Sequence, residues 1–87
     1  MKLVVCAAMI MKDGLVVTGV RHFSPDMRLI LHRVYGDKYH LQVKDQGFVD
    51  NKGEFLSRED AWKAADLAGQ IRKEVSSPGT LYSENLY

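Results

Sequence analysis

Cysteine is almost absent from this chain of 87 residues, which contains Cys6 alone. A single thiol excludes an intramolecular disulfide and any zinc module built on several cysteines. Net charge is nearly absent too, since 12 basic residues face 11 acidic ones and leave a formal charge of +1. Proteins that bind long nucleic acids usually carry a clear basic excess, so the composition disfavours that class.

Long apolar runs and targeting signals are also missing. The first apolar run ends at Met11, far short of the about 20 residues that span a bilayer. It also lacks the length and the small-residue cleavage site of a secretory signal peptide. We therefore expect a cytosolic protein without a membrane partner, whose first residues belong to the fold.

What is present is an ordinary globular composition, with 46% hydrophobic and 26% charged residues. We expect a single domain over residues 1–87. A chain this short buries only about 60–65% of the surface that its unfolded form exposes. Because no disulfide compensates for that small core, the sequence favours a homo-oligomer.

The N-terminal segment predicts a β-hairpin over residues 2–20. Its first strand, 3–11, is apolar on both faces, so we expect both faces to be covered. Asp13-Gly14 is typical of a type I′ turn, in which both central residues have positive φ. The return strand follows at 15–18, and Cys6 is predicted to be a buried, inert thiol.

Two helices are predicted. The first is capped by Ser24, starts at Pro25 and ends at Gly36. The second starts with the capping-box pattern of residues 57–60 and runs from Arg58 to about Lys73. Their predicted buried stripes are Met27, Ile30, Leu31 and Val34 in the first helix, and Ala61, Ala64, Ala65 and Ala68 in the second.

A second, shorter hairpin is predicted from 47–49 and 54–56, which flank a turn-rich segment at 50–53. Residues 37–45 fit either a short strand or an extended loop. The C-terminal segment 80–87 is too apolar for a disordered tail, so we expect it to dock on its own core or on another subunit. The predicted class is α+β: a small antiparallel sheet of two hairpins packed with two helices.

Motifs for catalysis are lacking, including metalloprotease, nucleophile-elbow and Walker-type patterns. The three histidines, His22, His32 and His40, are too scattered to predict a metal site, and no nucleophile adjoins His22 or His32 in the sequence. We therefore expect neither an enzyme nor a protein with a metal or cofactor.

Two groups of residues suit a ligand. The first is a basic cluster that leads into a helix start, which fits a phosphate-bearing ligand; it consists of Arg21, His22, Arg28, His32 and Arg33. The second is Gln46-Gly47-Phe48 with Ser57 and Arg58, where a backbone bend at Gly47 would present the Phe48 ring. The alternatives are a solvated helix face for the first group and a core position for Phe48.

Five segments together resemble the first type of Thoeris anti-defence protein, a family of small bacteriophage proteins. They are Val4-Val5-Cys6-Ala7-Ala8, residues 19–28 around Arg21-His22-Phe23, Gln46-Gly47-Phe48-Val49-Asp50, residues 55–62 around Ser57-Arg58, and the tail 79–87. The resemblance spans nearly the whole chain, except mainly residues 36–45.

This resemblance implies a sponge for immune signals that works without chemistry, in the host cytoplasm. Its ligand is the glycocyclic ADP-ribose made by bacterial TIR-domain enzymes, which the sponge binds without cleaving. Some members also bind cyclic di- or trinucleotides of CBASS defence at separate sites. The family fold is a compact α/β domain whose subunits form dimers and, in some members, hexamers, with the ligand near the subunit interface.

The resemblance also assigns site residues. Arg21 and Arg28 become phosphate partners, and Phe48 becomes the ring that stacks on adenine. The other contacts come from the Arg-His-Phe segment, the second helix start and the tail; they are His22, Ser57, Arg58, Tyr82 and Asn85. Two other functions stay open, namely an enzyme that degrades the same signal and a phage adaptor that binds a host protein.

Overall fold

A four-stranded antiparallel sheet and two helices form the protein in a computed structural model that describes residues 1–72 and 78–86. The elements in chain order are β1 (Val4–Met11), β2 (Val16–Gly19), α1 (Pro25–Tyr35), a 3-10 turn (Tyr39–Gln42), β3 (Val43–Asp50), β4 (Phe55–Ser57), α2 (Arg58–Leu67) and a second 3-10 turn (Ser83–Asn85). The sheet order is β2-β1-β3-β4. The predicted α+β class is confirmed. In the described part of the chain, no helix is long and apolar enough to cross a membrane.

The first hairpin forms as predicted, but its turn has a different geometry. Gly14 has a φ of 92°, whereas Asp13 does not adopt a positive φ. The Gly14 N–H donates to the Met11 carbonyl at 2.9 Å, and the Met11 N–H donates to the Leu15 carbonyl at 2.8 Å. This is a type I turn followed by one left-handed glycine, a common alternative to the type I′ turn that Asp13-Gly14 predicts.

Both helices pack on one face of the sheet. The core contains Ala7, Met9, Met11, Phe48 and Leu56 from the strands, together with Met27 and Leu31 of α1, Ala61, Ala64 and Ala65 of α2, and Leu81 of the tail. The opposite face carries no described helix, and Val5 beside it is 54% exposed. The expectation is that helices, another sheet or a partner subunit cover both faces of β1; helices cover one face, and cover of the other by a partner subunit stays a prediction.

Cys6 is only partly buried, which corrects the expectation of a buried thiol. Its partner in the β1–β3 ladder is Val49, whose neighbour Phe48 faces the core, so Cys6 belongs to the sheet face without helices. Partial burial raises the pKa of the thiol. Because the thiolate is the reactive form, a raised pKa leaves a smaller fraction of Cys6 in that form at neutral pH.

α1 buries a narrower stripe than its apolar pattern predicts. Met27 and Leu31 are fully buried, but Ile30 is 45% and Val34 56% exposed. The helix lies against the short edge strand β2, and a Cβ at Gly19 would stand 2.8 Å from the Met27 Cβ. Because β2 is narrow and α1 lies so close to it, the sheet covers only one row of α1 side chains. Ile30 and Val34, on the flank of the helix, stay exposed to solvent.

α2 ends at Leu67, earlier than the predicted end near Lys73, which lies outside the described residues. Gly69 takes a φ of 68°, and the Gln70 N–H donates to the Ala65 carbonyl at 2.8 Å. A left-handed glycine is a common helix stop. The Gln70 amide then exchanges two hydrogen bonds with the Val4 backbone, at 2.8 and 2.9 Å, so the chain after α2 is tied to β1.

The ambiguous segment 37–45 is a 3-10 turn followed by the start of β3, which begins four residues before the predicted strand. The second hairpin is confirmed. Its turn is organised by the buried carboxylate of Asp50, which accepts the N–H groups of Lys52 and Glu54 at 2.9 Å each. These hydrogen bonds to the charged form, first that from Glu54, lower the pKa of Asp50.

The tail docks on its own chain. Leu81 is fully buried in the core. The Arg72 N–H donates to the Asn85 carbonyl at 2.7 Å, which joins the tail to the segment after α2. Tyr87 lies outside the described residues. Docking brings Tyr82 against Arg58 and the Ser83 hydroxyl against His22.

We predict that Gly47→Ala lowers the free energy of unfolding by about 2–3 kcal/mol, as overpacking does. A Cβ at Gly47 would lie 2.0 Å from the Leu56 carbonyl oxygen and 2.7 Å from the Phe55 ring. Urea unfolding measures the effect.

The matched control is Gly53→Ala, where a Cβ would meet nothing within 4 Å but φ is +80°. That substitution should cost only the strain of a left-handed alanine, about 1 kcal/mol. Equal losses in the two variants would contradict the close approach at Gly47.

Candidate functional site

The turn before α1 fixes the position of His22. The Arg21 N–H donates to the Ser24 hydroxyl at 3.2 Å, and that hydroxyl donates to the Arg21 carbonyl at 2.7 Å. Phe23 has a φ of 58°, a left-handed conformation that is unusual for a bulky residue. Strain of this kind persists only where neighbouring contacts hold it.

His22 joins three parts of the fold. Its Nε2 lies 2.7 Å from the Gly47 carbonyl oxygen on β3, and its Nδ1 lies 3.1 Å from the Ser83 hydroxyl in the tail. A carbonyl only accepts, so Nε2 carries the proton and Nδ1 of the neutral ring accepts from Ser83. The ring also meets the Phe48 ring edge-on, with centroids 5.1 Å apart.

The surroundings favour the neutral form of His22. Burial lowers the pKa of the imidazole, and the positive charge of Arg58 lowers it further. The Gly47 carbonyl and Glu84 act in the opposite direction with smaller effect. The ring is therefore a neutral hydrogen-bonding bridge in the folded protein.

Arg58 is the second anchor of the site. It begins α2 behind Ser57, whose hydroxyl accepts the Asp60 N–H at 3.1 Å as the capping pattern predicts. The half-buried guanidinium donates from Nη1 to the Leu81 carbonyl at 2.9 Å and from Nη2 to Gln46 Oε1 at 3.0 Å. Burial lowers the pKa of the guanidinium, but an arginine stays charged at any physiological pH.

An aromatic ring covers the guanidinium. The Arg58 Cζ lies 4.7 Å from the centroid of the Tyr82 ring and 6.0 Å from that of Phe48. Distances below about 6 Å to a ring centroid give a favourable cation–π contact. The arginine is thus held in one orientation by two hydrogen bonds and the Tyr82 ring.

Arg58 borders an open groove of about 450 Å³ at the start of β3. The other lining residues are His40, Val43, Lys44, Asp45 and Gln46. Sequence reasoning selected Arg58 but missed His40 and Lys44, because their segment was ambiguous between strand and loop. A larger apolar groove of about 750 Å³ lies between the N-terminus and α2, and it includes none of the predicted site residues.

Of the eight predicted site residues, the structure brings five together. Asn85 and Arg21 support neighbouring segments, and Arg28 lies apart. Joined by contacts or adjacency are His22, Phe48, Ser57, Arg58 and Tyr82. Asn85 is buried, and its Oδ1 accepts the Tyr82 N–H at 2.8 Å, so it shapes the tail. Arg21 begins the turn that positions His22. Arg28 is exposed on α1, and none of the contacts among described residues joins it to this group.

Phe48 requires a correction. Its side chain is fully buried at 0% exposure, so no face of the ring is free to stack on adenine. The Phe48 ring instead contacts His22, Arg58 and the core side chains. The alternative interpretation, a core residue beneath the site, describes Phe48 correctly.

A nucleophile does adjoin His22 in space, although none does in the sequence. The Ser83 hydroxyl is the nearest candidate, but Ser83 is only 4% exposed and its O–H is engaged with Nδ1. A substrate would have to displace the tail to reach it. Across residues 1–72 and 78–86, no group of three or more His, Cys, Asp and Glu side chains lies close enough to hold a metal ion.

Comparison with known proteins adds one finding. A family model described as Phage T4 y16D protein matches residues 3–87. The chain belongs to that family. It is therefore a small phage protein, which confirms that part of what the resemblance implies. The family description states no activity. The comparisons with curated proteins and with solved structures found no match.

We predict that acidification destabilises the protein through His22. A histidine whose folded pKa lies below its unfolded value binds its proton more tightly in the unfolded chain. The free energy of unfolding should therefore fall as pH drops below about 6.5, the ordinary histidine pKa. Urea unfolding at pH 7.5 and 5.5 measures the difference.

His22→Gln should reduce this difference, whereas His40→Gln, at an exposed position, should leave it as in the wild type. A pH dependence that survives the loss of His22 would show that another group carries it.

We also predict that Phe48→Ala destabilises the fold by about 3–5 kcal/mol, the usual loss for a buried phenylalanine. Thermal or urea unfolding checks it. An alanine variant as stable as the wild type would contradict the buried position of the ring and restore its assignment to ligand stacking.

Proposed function

We propose that this phage protein binds and sequesters cyclic nucleotide immune signals, foremost the glycocyclic ADP-ribose of TIR enzymes, without cleaving them. Cyclic di- and trinucleotides of CBASS defence are further candidate ligands. The bacterial effector then receives no signal. The protein acts in the host cytoplasm and needs no cofactor.

The observation that carries this proposal is the fixed guanidinium of Arg58 at the edge of the groove. Its hydrogen bonds to described residues use two of its five N–H donors, which leaves three for an anion. Arginine forks match phosphate oxygens in geometry and charge. Because Arg58 is already oriented, a bound phosphate does not have to immobilise it.

A nucleotide also needs a surface for its base. Since Phe48 is buried, the proposal assigns this part to Tyr82, which is only partly buried and lies against Arg58. The groove of about 450 Å³ falls within the range of about 300–1,000 Å³ for small-molecule sites. Arg21, Arg28 and Asn85 stay predicted ligand contacts in this proposal.

Sequestration without turnover fits the state of the polar groups. Both ring nitrogens of His22 are engaged, and the Ser83 hydroxyl is buried. The hydroxyl that donates to Nδ1 belongs to Ser83, which is 4% exposed, so the nucleophile beside this base is closed to a substrate while the tail is docked. The proposal therefore gives His22 a structural part and no catalytic one.

Assembly is part of the proposal, as a homodimer with a hexamer as the larger form. The sheet face without helices carries partly exposed apolar side chains, and Val5 and Val16 at its edge are 54% and 36% exposed. A small domain gains stability when a second copy covers such a face. A pocket shared by two subunits would also exclude more water from the charged contacts.

An adaptor function is the second candidate, and one observation favours it. The apolar groove beside α2 contains Leu67, which is 83% exposed, and Met1, which is 88% exposed. Apolar surface of this kind often marks a protein interface. The adaptor would bind no nucleotide, which separates it from the sponge.

The test incubates the protein with TIR-derived signal, removes free nucleotide, denatures the protein by heat and identifies what is released. Intact signal at no more than one equivalent per site is expected. A cleaved product, or turnover beyond one equivalent, would instead establish the degrading enzyme, and Ser83→Ala would then be the first variant to test.

Arg58→Lys gives the residue-level prediction. It keeps the charge but loses the fork, so the affinity for cyclic ADP-ribose should fall about tenfold, as for one charge-assisted hydrogen bond. Calorimetric titration measures it, with Arg33→Lys on the exposed face of α1 as the matched control. Unchanged affinity in Arg58→Lys would remove Arg58 from the site.

A further inference from the structure

We infer that Lys44 of β3 and His40 of the 3-10 turn before it supply a second phosphate-binding wall of the groove that Arg58 borders. The inference rests on the proposed function and deepens it. It assigns the pyrophosphate of the ligand to residues that neither the basic cluster nor the family resemblance selects.

The wall begins with a fixed backbone. Lys44 is the second residue of β3 and lies at a register shift, where Val43 pairs with Met11 of β1 and Asp45 pairs with Ile10, so that Lys44 itself has no partner in the ladder. The 3-10 turn before it is tied to β1 by the Lys12 N–H, which donates to the Gln42 carbonyl at 2.8 Å. Strand and turn therefore hold the positions of His40 and Lys44 on the sheet.

Ring contacts support the turn from the other side. Tyr39 is partly buried against the core and lies 6.5 Å, centroid to centroid, from the Phe23 ring. The His40 ring meets the Tyr39 ring edge-on at 6.2 Å. These contacts hold the turn in place while His40 itself stays exposed at the groove.

The groove lining holds two cationic side chains and one carboxylate, and the carboxylates of Glu59 and Glu84 also act on Arg58. Lys44 and Arg58 bring two positive charges, and His40 adds hydrogen-bonding nitrogens. The one acidic lining residue is Asp45, whose Oδ1 accepts the Gln46 N–H at 2.8 Å and is thereby partly turned to its own strand. Among the lining residues alone, the two cationic side chains outnumber the single carboxylate.

Two cationic side chains in one groove favour a ligand with two phosphates. The inference assigns one phosphate to Arg58 and the other to Lys44. Linking two contacts in one ligand raises its affinity without a new kind of interaction. The chemical class is therefore a pyrophosphate, as in ADP-ribose and its cyclic forms.

The experiment titrates the wild type, Lys44→Ala and His40→Ala with cyclic ADP-ribose, inorganic pyrophosphate and inorganic phosphate at equal ionic strength. Wild type should bind pyrophosphate more tightly than phosphate. Lys44→Ala should weaken both pyrophosphate-bearing ligands about tenfold, the loss of one charge-assisted contact, and reduce the salt dependence. His40→Ala should weaken them in the same direction.

The matched control is Lys52→Ala, an exposed lysine at the other end of β3 that removes the same charge. It should bind as the wild type does. An equal loss in the two lysine variants would reduce the effect to net charge and overturn the inference.

The two proposals fail in different ways. If the wild type binds cyclic ADP-ribose and the Lys44 and His40 variants bind equally well, the second wall is wrong and sequestration stands. If the wild type binds inorganic pyrophosphate through Lys44 but no cyclic nucleotide, the wall is right and the proposed function is wrong. Equal affinity for phosphate and pyrophosphate would also overturn the wall.

Discussion

The fold and the candidate site both depend on the double tie between Arg58 and Leu81. The Leu81 N–H donates to the Arg58 carbonyl at 3.0 Å, and the Arg58 guanidinium donates back to the Leu81 carbonyl at 2.9 Å. This pair holds the tail against the start of α2, so that Leu81 enters the core and Tyr82 covers the guanidinium. One arginine thereby closes the core and borders the groove.

A second constraint is the close approach of backbones at Gly47 and Gly19. Each lacks room for a Cβ, Gly47 against the Leu56 carbonyl and Gly19 against Met27. Gly47 lets β4 sit tightly beside β3 and leaves its carbonyl to His22. The T-shaped contact between His22 and Phe48 then follows from the same geometry. The apolar ring of Phe48 is thus needed beneath the site and is not available to a ligand.

Much of the architecture could be predicted because its signals are local. The hairpin turns carry Asp-Gly and Asn-Lys-Gly sequences, and α2 starts at Ser57 with its hydroxyl on the Asp60 N–H. α1 starts at Ser24-Pro25 as predicted, but the Ser24 side chain does not cap the helix and bonds the Arg21 backbone instead. Each of these features satisfies backbone groups within a few residues. The end of α2 was predicted too late, because the helical pattern of apolar residues continues beyond Gly69, whereas the left-handed backbone of that glycine ends the helix.

By itself, the sequence determined the order of strands and helices, the absence of disulfides and the family-like segments that point to a phage protein. Only the tertiary structure decided which apolar residues are buried, because alternation and helical spacing define faces but not what covers them. Ile30, Val34 and Val5 are exposed for that reason, and Phe48 is buried. The contacts of His22 with Ser83 and of Arg58 with Leu81 join residues 61 and 23 positions apart, and no local pattern encodes such long-range pairs.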